Sequence, residues 1–169
     1  MPAEHERITT ILTGVAGEYF VAAELSRRGF IASITMRNSR GFDILATNEN
    51  ASRTVTIQIK TSQSARREWI LNDKAEKGFS PEWFYVFVIL NLPTERPHFH
   101  IVPSKDVADQ ISTGHRSYLA TPGKKGQQRK DSTMRKFLDL EGCYLERWDL
   151  LGLTPSVLPQ QLQEAAAGS

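Results

Sequence analysis

The stretch GFDILATNENASRTVTIQIKTSQ, Gly41 to Gln63, holds two apolar runs joined by a polar segment, NENASR. Its composition predicts strands over Phe42–Thr47 and Thr54–Lys60 with a turn between them. In the second run Val55, Ile57 and Ile59 point one way, while Thr56, Gln58 and Lys60 point the other. Neighbouring strands lie about 4.8 Å apart, so a hairpin across the turn brings Asp43 beside Gln58 and Lys60. A carboxylate binds a hard cation, an amide oxygen supplies a second ligand, and an ammonium stabilises charge on phosphate or activates water. A solvated outer sheet face would account for the same three residues without any chemistry.

Upstream, TGVAGEYFVAAELSRRGF predicts a helix with Thr13 as N-cap and Gly29 as its stop. Glu24 has Arg27 and Arg28 at i+3 and i+4, a surface ion-pair arrangement. Glu18 has Val21, Ala22 and Leu25 around it instead, so a surface role explains it less well. Phe30–Met36 reads as a strand, followed by a polar turn at Asn38–Gly41. Downstream, Glu68–Leu71 reads as a short strand and Lys74–Lys77 as a helical turn ended by Gly78. PEWFYVFVIL has no alternation, which suits a strand buried on both faces, and His98–Val102 pairs with it across NLPTERP. Ser104 is placed to cap a helix to about Ser112, and FLDLEGCYLERWDLLGL has core-like composition with helical character. This order predicts an α/β or α+β fold: a central mixed β-sheet flanked by helices. Residues 1–153 are expected to form one domain, with 154–169 a flexible tail rich in Pro, Gln and Ala.

Charge is unevenly distributed. Lys124 to Lys136, KKGQQRKDSTMRK, holds six Lys or Arg against one Asp, a balance of +5 in a chain of +2, so the rest carries about −3. Lys124, Lys125, Arg129, Lys130, Arg135 and Lys136 therefore form either a phosphate-binding stripe or a solvated loop. Arg66 and Arg67, just past Lys60, either grip a phosphate backbone, with Ser62 and Gln63 as nearby donors, or are simply solvated at the surface. The single Cys143 excludes an intrachain disulfide and suits the reducing cytoplasm. No secretory signal is expected in MPAEHERITT, and the longest apolar run, Trp83–Leu90, is too short to cross a bilayer.

GEYFVAAEL, then GFDILA, then TIQIKTS together resemble the PD-(D/E)XK nuclease superfamily, which includes restriction endonucleases, Holliday-junction resolvases and some homing endonucleases. The resemblance covers roughly Thr13 to Ser62 and implies a restriction endonuclease-like αβββαβ core. It implies that Asp43 is the metal-binding aspartate, that Gln58 stands at the acidic ligand's position, and that Lys60 is the motif lysine. Glu18 corresponds to the helix glutamate of some branches. It further implies a Mg²⁺-dependent endonuclease, with Mn²⁺ as a substitute, acting on duplex or branched DNA. Such domains often pair to cut two strands, so a homodimer is an expectation of the resemblance, not of any segment here. Phe42 replaces the motif proline, which does no chemistry. Gln58 removes one negative charge, although its carbonyl oxygen can still ligate Mg²⁺, which often needs only one or two protein carboxylates. A nuclease-like fold that only binds nucleic acid or a protein partner is the alternative that Gln58 supports.

The remaining candidates have plainer readings. His98 and His100 share a strand face without zinc-like company, and read as exposed or partner-bonded. Cys143 reads as a buried, inert thiol. Trp83, Phe84, Tyr85 and Phe87 read as core rather than a base-stacking platform, and Trp148 as packing. Gly14 and Gly17 do not form a phosphate loop, because no strand precedes them.

Overall fold

The computed structural model describes residues 8–35 and 41–155. The expected strand end at Met36, the turn residues 38–40 and the tail from 156 onward lie outside the described residues. Helix α1 runs Thr10–Arg27 and starts one turn earlier than the sequence suggests. Thr9 is the cap: its Oγ1 accepts the Leu12 N–H at 3.3 Å. Thr13 lies inside the helix, and its hydroxyl donates back to the Thr9 carbonyl at 2.9 Å. Thr13 is buried and also accepts from Gln63 Nε2 at 2.7 Å, so it belongs to the packed helix rather than to its start. Gly29, at φ +82°, ends the helix as expected.

The central sheet contains β1 (Phe30–Ile34), β2 (Ile44–Asn48), β3 (Thr54–Ser62), β5 (Trp83–Ile89) and β6 (His98–Pro103), in the order β1-β2-β3-β5-β6. Every pairing is antiparallel except β3 with β5. A parallel neighbour needs a crossover, supplied here by β4 (Glu68–Asn72) and a 3-10 turn, Asp73–Lys77, that ends at Gly78. β4 pairs with β7 (Met134–Leu138) in a second, two-stranded sheet. Helix α2 spans Ser104–Ala120. The fold is α+β, with a mixed five-stranded sheet flanked by helices, as its sequence pattern predicts.

Each sheet face has its own core. Val55, Ile57 and Ile59 of β3 pack with Val21 and Leu25 of α1 and with Ile44, Phe84, Val86 and Val88. On the other face Tyr85, Phe87 and Ile89 pack with Trp69, Leu71, Val107, Ile111 and Phe137. β5 is buried on both faces, which is why it lacks alternation. Each fully buried large side chain contributes about 1.5–3 kcal/mol. α1 approaches the sheet closely at Gly17, where an added Cβ would sit 1.9 Å from Thr61 Oγ1.

Four further expectations are corrected. Ser104 does not cap α2 through its side chain; its hydroxyl accepts the Phe79 N–H at 3.3 Å and donates to the Ser80 carbonyl at 3.4 Å. The helix continues eight residues past Ser112, its last turns held by the loop that follows, through His115 to Asp131 at 2.7 Å and Arg129 over the Tyr118 ring. The segment from Phe137 is not helical: it opens in β7, where Phe137 stacks on Phe87 at 4.5 Å, and reaches only a 3-10 turn at Trp148–Leu151. Tertiary pairing with β4 overrides local preference there. Asp139 then closes the following turn, accepting the N–H groups of Cys143 at 2.8 Å and Tyr144 at 3.1 Å. Cys143 is left exposed rather than buried. Asp139 also meets Nδ1 of the fully buried His100 at 2.6 Å. Burial pushes the His100 imidazole below its ordinary pKa, and the Asp139 carboxylate opposes this.

Gly17→Ala is expected to lower stability by about 1–3 kcal/mol through overpacking, read as a fall in Tm of about 2–4 °C per kcal/mol. Adding Thr61→Ala should recover part of the loss, because the two changes act on the same close approach.

Candidate active site

β3 is the element that positions the site. Its inward residues are held between α1 and the sheet core, so Gln58 and Lys60 project from the opposite face, both half-buried. In the parallel ladder Gln58 lies beside Tyr85 and Lys60 beside Phe87, two fully packed aromatic positions that fix the local backbone.

Asp43 lies at the residue before β2. Ile44 is the register partner of Ile57, yet the Asp43 N–H also bonds the Ile57 carbonyl at 2.9 Å. Two successive residues are therefore set against one, the count of a β-bulge, which bends a strand and re-aims a side chain. The Asp43 carbonyl still accepts the Thr35 N–H at 2.9 Å, so the bulge is held from the β1 side. The re-aimed carboxylate accepts the Ile59 N–H at 2.6 Å through Oδ2. Asp43 is thereby fastened to the peptide joining Gln58 to Ile59, one residue from Lys60. This bond replaces the ladder bond that β2, which starts at Ile44, does not extend far enough to make.

Glu18 is half-buried on α1, next to Gly17. Helix α1 covers the Ile57–Ile59–Thr61 face, so Glu18 approaches from the side of the sheet opposite Gln58 and Lys60. Ala16 and Phe20 line a groove with Leu90 and Pro93, on the β5 side of α1. Glu18, about 100° beyond Gly17 in the other sense, lies on the flank away from that groove. Asp43 and Gln58 offer one carboxylate and one amide oxygen, a donor set of the hard type that Mg²⁺ takes with waters and phosphate completing the octahedron. Among the described residues no group of three His, Cys, Asp or Glu is arranged to hold a metal ion.

Beyond Lys60 a hollow of about 690 Å³ is lined by Ser62, Ser64, Arg66, Glu68 and Trp69. Arg66 is exposed, 3.9 Å from Glu68. Arg67 donates to the Leu140 carbonyl at 2.9 Å, which holds the turn after β7. Gln63 donates from Nε2 to Thr13 Oγ1 at 2.7 Å and to the Ile8 carbonyl at 2.9 Å, tying β3 to α1.

The basic stretch divides into two parts. Lys124, Lys125 and Lys130 are exposed in the loop after α2, and Arg129, half-buried, lies over the Tyr118 ring at 4.2 Å. Arg135 and Lys136 belong to β7 instead. Arg135 is buried, paired with Glu76 and donating to the Ser132 carbonyl at 2.6 Å. Lys136 pairs with Glu68 at 3.2 Å. Sequence reasoning passed over Phe79, which is 42% exposed and stacks on Trp83 at 4.2 Å. The available signal was a lone aromatic within the polar segment KGFSPE.

No family model matches the chain, and no curated protein matches it. Among solved structures, the Holliday junction resolvase Hjc of the archaeal hyperthermophile Archaeoglobus fulgidus is similar at 13% identity and a TM-score of 0.46, with 83% of this chain and 97% of that one covered. The bacterial homing endonuclease I-Ssp6803I is similar at 15% identity and a TM-score of 0.44, covering 94% of this chain and 96% of that one. Likenesses of that size leave the chemistry to this chain's own residues.

Asp43→Ala strands the Ile59 N–H and should cost about 1–3 kcal/mol. Asp43→Asn keeps an acceptor of the same shape and should melt close to the native protein, which differential scanning calorimetry would read directly.

Proposed function

We propose that this chain is a Mg²⁺-dependent endonuclease that hydrolyses phosphodiester bonds in DNA, with Mn²⁺ able to replace Mg²⁺. The observation that carries the proposal is the bond from the Ile59 N–H to Asp43, which sets a carboxylate against the strand that presents Gln58 and Lys60. Asp43 and Gln58 would hold the ion, and Glu18, on the α1 side of the sheet, stands outside that pair. When bound, the ion supplies positive charge to the phosphate and lowers the pKa of the attacking water. Lys60 donates hydrogen bonds to a phosphate oxygen as charge builds there, or holds the attacking water in line. Ser62 and Arg66, in the hollow beyond Lys60, bind the flanking phosphates, and Lys124, Lys125, Arg129 and Lys130 add binding that is independent of sequence. Arg135 and Lys136, already engaged with Glu76 and Glu68, fall outside this set.

A second reading is favoured by Gln58 itself. A neutral amide is a weaker cation ligand than a carboxylate, so the same fold would serve as a DNA- or protein-binding module without cleavage.

Supercoiled plasmid and branched DNA, incubated with Mg²⁺ or Mn²⁺ against EDTA, separate the two readings. Under the nuclease reading, Asp43→Asn and Lys60→Ala each lower nicking by about 100-fold or more. Lys60→Ala leaves metal affinity nearly unchanged, because an ammonium is not a ligand. Gln58→Glu tightens Mn²⁺ binding, measured by titration calorimetry. Full activity in Asp43→Asn would place the cleavage elsewhere, and a Gln58→Glu protein with unaltered metal affinity and no nicking would leave the binding module.

Replacing Lys124, Lys125, Arg129 and Lys130 together with Ala should flatten the plot of log K against log[salt] on duplex DNA, by about 0.9 for each phosphate no longer neutralised. The weakening should be alike on unrelated sequences, and Lys136→Ala should leave the slope where it was.

A further inference from the structure

Beside the Asp43–Gln58–Lys60 group lies an aromatic cluster at the margin of the second core, against which Trp83 packs. Phe79 stacks on Trp83 with ring centroids 4.2 Å apart and planes 18° from parallel. Phe42, the residue before Asp43, meets the same indole edge-on at 5.9 Å and 89°. Gly41 passes so close that an added Cβ would sit 3.4 Å from the indole. Phe79 remains 42% exposed, although one ring face is covered by Trp83. The indole N–H of Trp83 is buried, with no hydrogen-bond partner among the described residues.

The cluster is in line with the site. Trp83 is the ladder partner of Thr56, which shares its sheet face with Gln58 and Lys60. Thr56 to Lys60 spans roughly 13 Å at about 3.3 Å per residue. Along one face of β3 there follow, in order, the aromatic cluster, the Asp43–Gln58 group, Lys60, and the hollow with Ser62 and Arg66. Lys74 and Lys77 are exposed on the 3-10 turn just before Phe79, where they alternate with Asp73 and with Glu76, itself paired with Arg135.

We infer that Phe79, seated on Trp83 and Phe42, is a stacking platform for an unpaired nucleobase, so that the substrate carries a single-stranded or unstacked nucleotide next to the phosphate held at Lys60. The position of the platform on the substrate path rests on the proposed nuclease site. Bases in an intact duplex present edges, not faces, and cannot stack on a side chain without leaving the helix. An unpaired base can, and its backbone phosphate then lies toward the positive charge of Lys77 on one side and Lys60 on the other. An aromatic partner of this kind is sequence-tolerant, because every base has a π-face.

The chain offers a direct readout. Of its three tryptophans, Trp69 and Trp148 are 3% and 7% exposed, so Trp83 is the one within reach of a ligand. The full chain is titrated, in EDTA, with a single-stranded oligonucleotide and with the duplex of the same sequence, and tryptophan emission is followed. The single strand is expected to quench emission saturably, and the duplex to bind with little quench. Trp83→Phe abolishes the quench while largely keeping affinity, and Phe79→Leu lowers single-strand affinity by about tenfold or more without changing that for duplex. Phe79→Tyr restores it, which separates stacking from packing, and melting curves confirm that each variant is folded. Equal quench by duplex, no quench by single strand, or single-strand affinity untouched in Phe79→Leu would each overturn the platform. Because EDTA removes cleavage, a protein that fails the plasmid assay can still show the single-strand quench. One that cleaves duplex well and shows no quench loses only the platform.

Discussion

The parallel pairing of β3 with β5 constrains the rest of the molecule. Two parallel neighbours cannot be joined by a turn, so the chain must leave the sheet after Ser62 and return at Trp83. That excursion produces β4 and the 3-10 turn, and β4 then requires β7 as a partner far along the chain. Trp69 and Leu71 of β4, with Phe137 of β7, cover Tyr85, Phe87 and Ile89, which would otherwise be an exposed apolar face. α2 completes that layer through Val107 and Ile111. A topological requirement of one strand pair thus accounts for the second core and for the hollow that opens beside Lys60.

The opposite face obeys a steric constraint. α1 lies on β3 so closely at Gly17 that no side chain fits between the helix and Thr61. This approach buries Val21 and Leu25 against Ile57 and Ile59 and turns the polar half of β3 away from the helix. It also fixes where Glu18 emerges. The ion pairs at the other end of α1 have a structural purpose: Glu24 is shared by Arg28 and by Arg96, from the β5–β6 connection, at 3.0 Å in the latter case. Those arginines hold the Glu24 carboxyl down at a pKa of about 2, against the opposing effect of its burial. Arg96 also reaches Glu146 at 3.0 Å, which ties the segment after β7 to the helix.

Charge alone does not mark a phosphate-binding residue in this fold. Lys124 and Lys125 are exposed, whereas Arg135, counted in the same run, is buried against Glu76. The difference follows from β7 pairing with β4: alternate residues of that strand face inward, and Arg135 is one of them. A sequence window treats the six residues as equivalent, because nothing local to KKGQQRKDSTMRK announces a strand.

The alternation of Val55, Ile57 and Ile59 with Thr56, Gln58 and Lys60 was sufficient to place the strand, its two faces and the neighbourhood of Gln58 and Lys60, since side-chain direction in a strand has a period of two wherever the strand lies. The unbroken apolar run of β5 was likewise legible, because burial on both faces leaves no polar position. The cap at Thr9, the length of α2 and the strand at Met134–Leu138 were not legible, as each depends on a partner distant in the chain. The bulge at Asp43 belongs with them. It arises where β2 begins one residue out of step with β3, and its carboxylate finds the Ile59 N–H only because the two strands already lie side by side. Local pattern determined which residues share a face; long-range pairing decided which of them meet.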